Sequence, residues 1–292
     1  MIAELRYRAL CISELDQATR FYADGLGFQP VGLPEVESGA WLDAATTTQG
    51  SRLTSQLVRN AQGITLKLYE FERPVGVGPR ERRKNNQFGL THLAFYVDDV
   101  DAWAGRIAGA GGLVFRHTRA TFRDNGTTMM YCTDADGIRI ELMQAPGERQ
   151  RFSHSGICMD NTPKWMGFYG ELFGFLPAEN YELYDHGYFM NLINELDDVK
   201  LRAQMIRNAN GDTIELLSML SPPAFGSREP LPLNQYGLRY LSFGVPDVDG
   251  AATSLTSLGG SRLTETLQDE SGRNRAFCAD PLGVRLELVE NR

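Results

Sequence analysis

No two cysteines in the chain are spaced to share a metal or mark a redox motif. The four, Cys11, Cys132, Cys158 and Cys278, contain no CxxC pair. Each lies in a predicted strand, so they read as small buried thiols in a reducing compartment. A basic surface is missing too: 29 Lys and Arg stand against 37 Asp and Glu, a net charge of −8. Without a basic stripe to neutralise phosphates, a nucleic-acid partner is excluded. The densest basic stretch, Arg80-Glu81-Arg82-Arg83-Lys84, reads as a solvated loop. No apolar run approaches the ~20 residues of a membrane span. Met1-Ile2-Ala3-Glu4 does not open a signal peptide. The expectation is a cytoplasmic protein with no membrane partner, a monomer or homodimer acting on a small molecule. A nucleotide fingerprint is also lacking. Gly109-Ala110-Gly111-Gly112 follows a helix instead of joining strand to helix, so it reads as a helix stop. Histidine is scarce, with four in 292 residues.

What the sequence has in abundance is repetition. Asn86-Gln87-Phe88-Gly89-Leu90-Thr91-His92-Leu93 recurs as Asn234-Gln235-Tyr236-Gly237-Leu238-Arg239-Tyr240-Leu241. Gln56-Leu57-Val58-Arg59-Asn60-Ala61-Gln62-Gly63 recurs as Gln204-Met205-Ile206-Arg207-Asn208-Ala209-Asn210-Gly211. Asp134-Ala135-Asp136-Gly137-Ile138-Arg139-Ile140-Glu141 recurs as Asp280-Pro281-Leu282-Gly283-Val284-Arg285-Leu286-Glu287. The chain is therefore a duplication, with halves at residues 1–147 and 150–292. Each half divides again, giving modules at about 4–72, 88–146, 151–220 and 236–290. Each module opens with an alternating strand, continues into a short helix and ends in three strands joined by Gly, Asn and Asp turns. Acidic residues before the helices at Asp99 and Asp247 suit N-caps, and Gly27 and Gly174 suit helix stops. Arg59-Asn60 and Arg207-Asn208 read as hairpin reversals. Trp41, Trp103 and Trp165 read as packing residues.

Phe21-Tyr22 with Leu26-Gly27-Phe28, Phe168-Tyr169 with Phe173-Gly174-Phe175, and the Asp-x-x-Gly-x-x-x-Glu strands recur in register with this spacing. On these motifs the chain resembles the vicinal oxygen chelate superfamily of glyoxalases, bleomycin resistance proteins and extradiol dioxygenases. The resemblance implies an α+β fold of four βαβββ modules forming two half-closed mixed β-barrels. It also implies a divalent metal in a cup, with ligands from the first and last strands of each module.

Side chains alternate across a strand, so one face is core and the other lines the cup. Leu93, Phe95 and Val97 form a core face, leaving His92, Ala94 and Tyr96 in the cup. Ile157 and Met159 leave His154, Gly156 and Cys158 there. The first-strand cup positions are then Tyr7, His92, His154 and Tyr240, and the last-strand positions Lys67, Glu141, Glu215 and Glu287. His117 and His186 fall near loops. If sequential modules pair, one cup holds Tyr7, Lys67, His92 and Glu141, and the other holds His154, Glu215, Tyr240 and Glu287 and could bind a metal through His154 and the two glutamates. If the inner modules pair, as the resemblance to glyoxalase I implies, His92, Glu141, His154 and Glu215 meet in one cup. Two imidazoles and two carboxylates suit Zn²⁺, Ni²⁺, Co²⁺, Fe²⁺ or Mn²⁺.

Three activities follow from the resemblance. The first is a metal-dependent lyase or isomerase in which the ion holds two adjacent substrate oxygens, an enediolate forms, and Glu141 or Glu215 is the base. The second is extradiol cleavage of a catechol; here Phe277 replaces a tyrosine and Tyr240 a histidine of that pattern. The third is non-catalytic binding of an antibiotic-type ligand, walled by Tyr7, Tyr96, Tyr240 and Phe277.

Overall fold

The computed structural model describes residues 3–183 and 187–291. His186, named above for its loop position, lies outside the described residues.

Each module begins with a strand: β1 (Glu4–Cys11), β5 (Gly89–Tyr96), β9 (Arg151–Met159) and β13 (Gly237–Val245). A helix follows each: α1 (Leu15–Leu26), α3 (Val100–Gly109), α4 (Thr162–Phe173) and α6 (Val248–Ser257). The first module continues with β2 (Gln29–Ser38), β3 (Arg52–Arg59) and β4 (Thr65–Arg73), and the second with β6 (Leu113–Thr121), β7 (Thr128–Thr133) and β8 (Arg139–Gln144). The third has β10 (Leu176–Leu183), β11 (Lys200–Arg207) and β12 (Thr213–Ser221). The last has two short pairings, β14 (Ser261–Arg262) and β15 (Leu267–Gln268), before β16 (Asn274–Ala279) and β17 (Arg285–Glu290).

Local signals explain the boundaries. The Asp99 side chain accepts hydrogen bonds from the Asp101 and Ala102 amides and starts α3, whereas Asp247 occupies the same place before α6 with no side-chain cap bond. Gly27 and Gly174 close α1 and α4 at φ of 77° and 73°, where a Cβ would be strained. The Asn60 side chain accepts from the amides of Gln62 and Ile64 and turns β3 into β4. Asn208 does the same with Asn210 and Asp212 between β11 and β12.

The two sheets cut across the duplication. One has the order β14-β16-β17-β13-β1-β4-β3-β2, so modules four and one share it; β15 joins at β16. The other has the order β10-β11-β12-β9-β5-β8-β7-β6, so modules three and two share it. The seams β1–β13 and β5–β9 are antiparallel, and each opening strand pairs in parallel with its own module's last strand. Both sheets are mixed and open, and each curls into a half-closed barrel. The main apolar core lies between the helices and the sheets, where Leu93, Phe95, Val97, Ile157 and Met159 are buried with Phe21, Tyr22, Phe168 and Tyr169. Two smaller clusters fill the hollows of the sheets.

The expected modules lacked two helices that the structure contains. α2 (Ala40–Thr46) and α5 (Gly187–Asn194) interrupt the first and third modules. Each drops apolar side chains into one hollow: Trp41, Leu42 and Ala45 from α2, Met190 and Ile193 from α5. They are too short for a helical repeat to stand out in sequence. Among the described residues, no helix is long and apolar enough to cross a membrane. All four cysteines are buried and free.

Candidate metal centre

The β5–β9 seam brings the two inner modules together, so the crossed arrangement is the one adopted. In this seam Ala94 lies opposite His154. In the parallel pairings Ala94 neighbours Glu141 and Gly156 neighbours Glu215. Each glutamate therefore sits beside the position two residues beyond a histidine, on the same face of the sheet. The alternation that sends Leu93 and Ile157 into the core sends these four side chains into the hollow.

There they converge. His92 Nε2 is 3.1 Å from His154 Nε2. Glu141 Oε2 is 3.4 Å from His92 Nε2 and 3.6 Å from His154 Nε2. Glu215 Oε2 is 3.5 Å from His92 Nε2 and 3.3 Å from His154 Nε2. All four are at least nine-tenths buried. Thr91 Oγ1 lies 2.9 Å from His92 Nδ1, and Ser153 Oγ lies 2.9 Å from His154 Nδ1. These contacts turn both Nε2 atoms inward. The backbone is fitted to the ring: a Cβ on Gly156 would lie 2.2 Å from His92 Cε1.

The donor set fits a divalent ion. Two Nε2 atoms 3.1 Å apart can share only one proton, and two buried carboxylates face them. A cation at the focus would satisfy all four groups at once. His92, His154 and Glu215 form the tightest group, with ligand atoms mutually within 4.8 Å. Burial disfavours the charged form of His154, but Glu215 and Glu141 outweigh it and hold its pKa above the usual imidazole value. Glu141 has a further contact: its Oε1 accepts from the Tyr131 hydroxyl at 2.9 Å. Asn85 Nδ2 donates to the Tyr131 oxygen at 3.3 Å and to Asn194 Oδ1 at 3.1 Å. The carboxylate is thus tethered through β7 to helix α5.

The hollow encloses about 290 Å³, with Glu141, His154 and Glu215 at its base and Met129, Met143 and Met190 among its walls. Sequence reasoning missed Tyr131, Asn85 and Asn194. Tyr131 was within reach of it, because β7 and β8 set Tyr131 directly opposite Glu141. Tyr131 is also the repeat counterpart of Phe277. Of the four aromatics expected to wall one ligand site, only Tyr96 lines this hollow; Tyr7, Tyr240 and Phe277 pack in the other. His117 is exposed on β6 and reaches Glu195 at 2.7 Å, away from the metal-type cluster.

The second hollow gathers Tyr7, Lys67, Tyr240 and Glu287. The Tyr7 hydroxyl donates to Glu287 at 2.5 Å, and burial together with Glu287 pushes its pKa up to about 12. Lys67 Nζ pairs with Glu37 at 2.7 Å. Arg275 bridges Glu287 at 3.1 Å and Asp269 at 2.6 Å. Tyr240 packs edge-on against Phe277. Ammonium and guanidinium occupy the space a cation would need.

Comparison with known proteins places the family and the fold. A family model described as the Glyoxalase/Bleomycin resistance protein/Dioxygenase superfamily matches residues 5–142 and again 151–288. A 2-epi-5-epi-valiolone epimerase from an Actinomyces species is 28% identical over 151 residues, 47% of this chain and 77% of that protein. The crystal structure of glyoxalase I from Zea mays superimposes with a TM-score of 0.69 at 17% identity, covering 99% of this chain and 92% of that one.

Proposed function

The chain belongs to the Glyoxalase/Bleomycin resistance protein/Dioxygenase superfamily, and from that premise we propose a metal-dependent isomerase or lyase of the glyoxalase type. Its substrate would be a small molecule with a carbonyl and a hydroxyl on adjacent carbons. The observation that carries the reading is the convergence of His92, His154, Glu141 and Glu215 at the floor of one enclosed hollow.

His92, His154 and Glu215 would hold the ion, with Glu141 as the fourth, exchangeable group. A bound divalent ion supplies Lewis acidity to two neighbouring substrate oxygens. The chain's own groups do the rest. Glu141, oriented by Tyr131, takes the proton from the carbon beside the carbonyl. The C–H electron pair moves into a carbon–carbon double bond, and the carbonyl π pair onto oxygen, giving an enediolate. Returning the proton to the neighbouring carbon, with the hydroxyl proton passing between the two oxygens, completes an isomerisation; returning one to the opposite face of the same carbon completes an epimerisation. An epimerisation would need Glu215, on the last strand of the facing module, to leave the ion and deliver that proton. The Actinomyces relative named for epimerisation fits that option.

The test is exchange of carbon-bound hydrogen in deuterated water, using α-hydroxyketones and cyclic polyol ketones with the metal-loaded protein. Glu141→Gln should retain metal and lose exchange by about 10²–10⁴-fold, the usual contribution of a positioned base. Unchanged exchange in that variant refutes the role of Glu141; exchange without metal refutes the reading.

A second reading rests on the tight His92, His154 and Glu215 group, which matches the two-histidine, one-carboxylate set of non-haem iron oxygenases. Iron-loaded protein given catechols and then oxygen would form a ring-opened product under that reading and none under the first.

A further inference from the structure

The two segments that link module one to two and module three to four cross between the sheets. Val77 bridges to Gln235 and Gln87 to Phe225. Between them lies a cavity of about 270 Å³, separate from both hollows. Its lining includes Arg83, Arg139 and Arg239, with Gln87, Gln235 and Tyr236.

The charges here do not balance. Arg239 is 6% exposed, and its Nε and Nη1 have no hydrogen-bond partner. Among the described residues, the groups that favour its charge are Tyr69 and Cys11. Burial pushes the Cys11 thiol up to about 12 and the Tyr69 phenol well above its usual value, so both are neutral near pH 7. Arg139 is 2% exposed and leaves Nη1 unpartnered, although its other nitrogens reach the Arg83 carbonyl and Glu195. Arg83 donates to the carbonyls of Phe88 and Leu90 but leaves Nε unpartnered. Burial and the neighbouring Arg239 push the Arg83 guanidinium down to about 10. Of the acids here, Asp136 is buried and lines the cavity but is committed within the protein, pairing with Arg80 at 2.8 Å and accepting from the Ser13 amide, and Glu81 is exposed.

A buried cation without a counter-charge costs several kcal/mol. Buried polar groups left unpaired in a native structure point to a missing partner. Water alone hydrogen-bonds a guanidinium but does not neutralise it, whereas planar guanidinium forks match phosphate and carboxylate oxygens. We propose that the cavity walled by Arg83, Arg139 and Arg239 binds a compact oxyanion, free or as the phosphate or carboxylate group of a small metabolite. Arg239 has the fewest contacts within the protein and is the principal anion ligand. Arg83 and Arg139, held by backbone carbonyls, form the fixed side of the site. The duplication did not supply Arg239: its counterpart in the first half is Thr91, which holds His92 instead.

The test is thermal unfolding and calorimetric titration with inorganic phosphate, sulfate and succinate, each against sodium chloride at matched ionic strength. The wild type should gain at least 3 °C with millimolar oxyanion and bind one per chain. Phosphate and sulfate acting without succinate assign a phosphoryl ligand; succinate acting alone assigns a dicarboxylate. Arg239→Met should melt higher than the wild type without anion, since it removes an unpaired charge, and should lose the anion response. His92→Ala should keep the response, which separates this cavity from the metal cup. No oxyanion binding beyond the chloride control overturns the proposal, as does an undiminished response in Arg239→Met. Should Arg239→Met fail to fold, the calorimetric titration of wild type and His92→Ala decides alone.

Discussion

The two hollows are built from the same four positions of the module, yet one gathers a metal-type donor set and the other a closed salt-bridge network. In the inner hollow those positions are His92, Glu141, His154 and Glu215, and two carboxylates face two imidazoles across about 3.5 Å. In the outer hollow they are Tyr7, Lys67, Tyr240 and Glu287, and every charge has an internal counter-ion. Burial alone would raise the Glu287 pKa, but Arg275 and Lys67 reverse that and hold it below the usual carboxylate range. Equivalent strand positions thus give opposite chemistry through their charge balance. Where the protein supplies its own cations, no ion is needed; where it gathers two carboxyl groups and two imidazoles, a divalent ion would complete the set.

The largest expected effect tests that asymmetry directly. His92→Ala and His154→Ala should each lower bound metal per chain by at least about tenfold, the scale set by loss of metal-site partners. Tyr240→Ala, at the matching position of the outer hollow, should leave metal content unchanged. Elemental analysis of the three purified variants decides the matter. Loss only in His154→Ala would break the assignment of both histidines to one ion.

Next in size is Lys67→Met. It leaves Glu37 and Glu287 facing each other with one buried cation fewer. Breaking a buried pair on one side costs about 3–5 kcal/mol. Urea unfolding should show a loss of that order with metal content intact. A loss under about 1 kcal/mol would mean the outer network is no more than a surface ion pair.

The helices show where the two halves remain alike. Tyr22 donates to Asp134 at 3.0 Å, and its counterpart Tyr169 donates to Asp280 at 2.9 Å. Burial raises the two carboxyls to about 7 and about 6. For an acid raised on folding, the stabilisation is complete below its unfolded value near 4 and is lost as pH rises through the folded value. The protein should therefore be more stable at pH 5.5 than at pH 8. Three units correspond to roughly 4 kcal/mol for Asp134, of which about half, roughly 2 kcal/mol, falls between these two conditions. Asp134→Asn should flatten that slope in paired unfolding curves, and an unchanged slope would remove Asp134 as its source.

Most of this architecture was legible because a strand has only two faces. Once Leu93 and Ile157 are assigned to the core, the parity of β5 and β9 puts His92 and His154 in the hollow whatever pairs with what. Which hollow they share was not local information. It depends on the β5–β9 and β1–β13 seams, joining strands of opposite halves, and the resemblance to glyoxalase I, not periodicity, favoured the crossed choice. Helices α2 and α5 were invisible because each is seven or eight residues long and stabilised by what it covers. Arg239 carried no signal of its own: it stood in the sequence only as one letter of a repeated motif.

The smallest expected effect bears on the wall of the inner hollow. Tyr131 and Phe277 are repeat counterparts, each opposite the last-strand glutamate of its module. In the outer hollow Glu287 needs no phenol from that wall, because Tyr7 and Arg275 already hold it. In the inner one the Tyr131 hydroxyl orients Glu141 while leaving Oε2 toward the imidazoles. Tyr131→Phe makes the two walls alike and removes one hydrogen bond to a charged group, worth about 1.5–3 kcal/mol. Part of that is recovered by water entering the hollow, so hydrogen exchange should slow by about tenfold with metal content unchanged. The slowing should appear in kcat more than in KM, because the phenol acts on the base and not on the substrate. An equal fall in metal content would show instead that Tyr131 holds Glu141 as a ligand, and the two hollows would then differ by one more metal-binding group than the histidines alone provide.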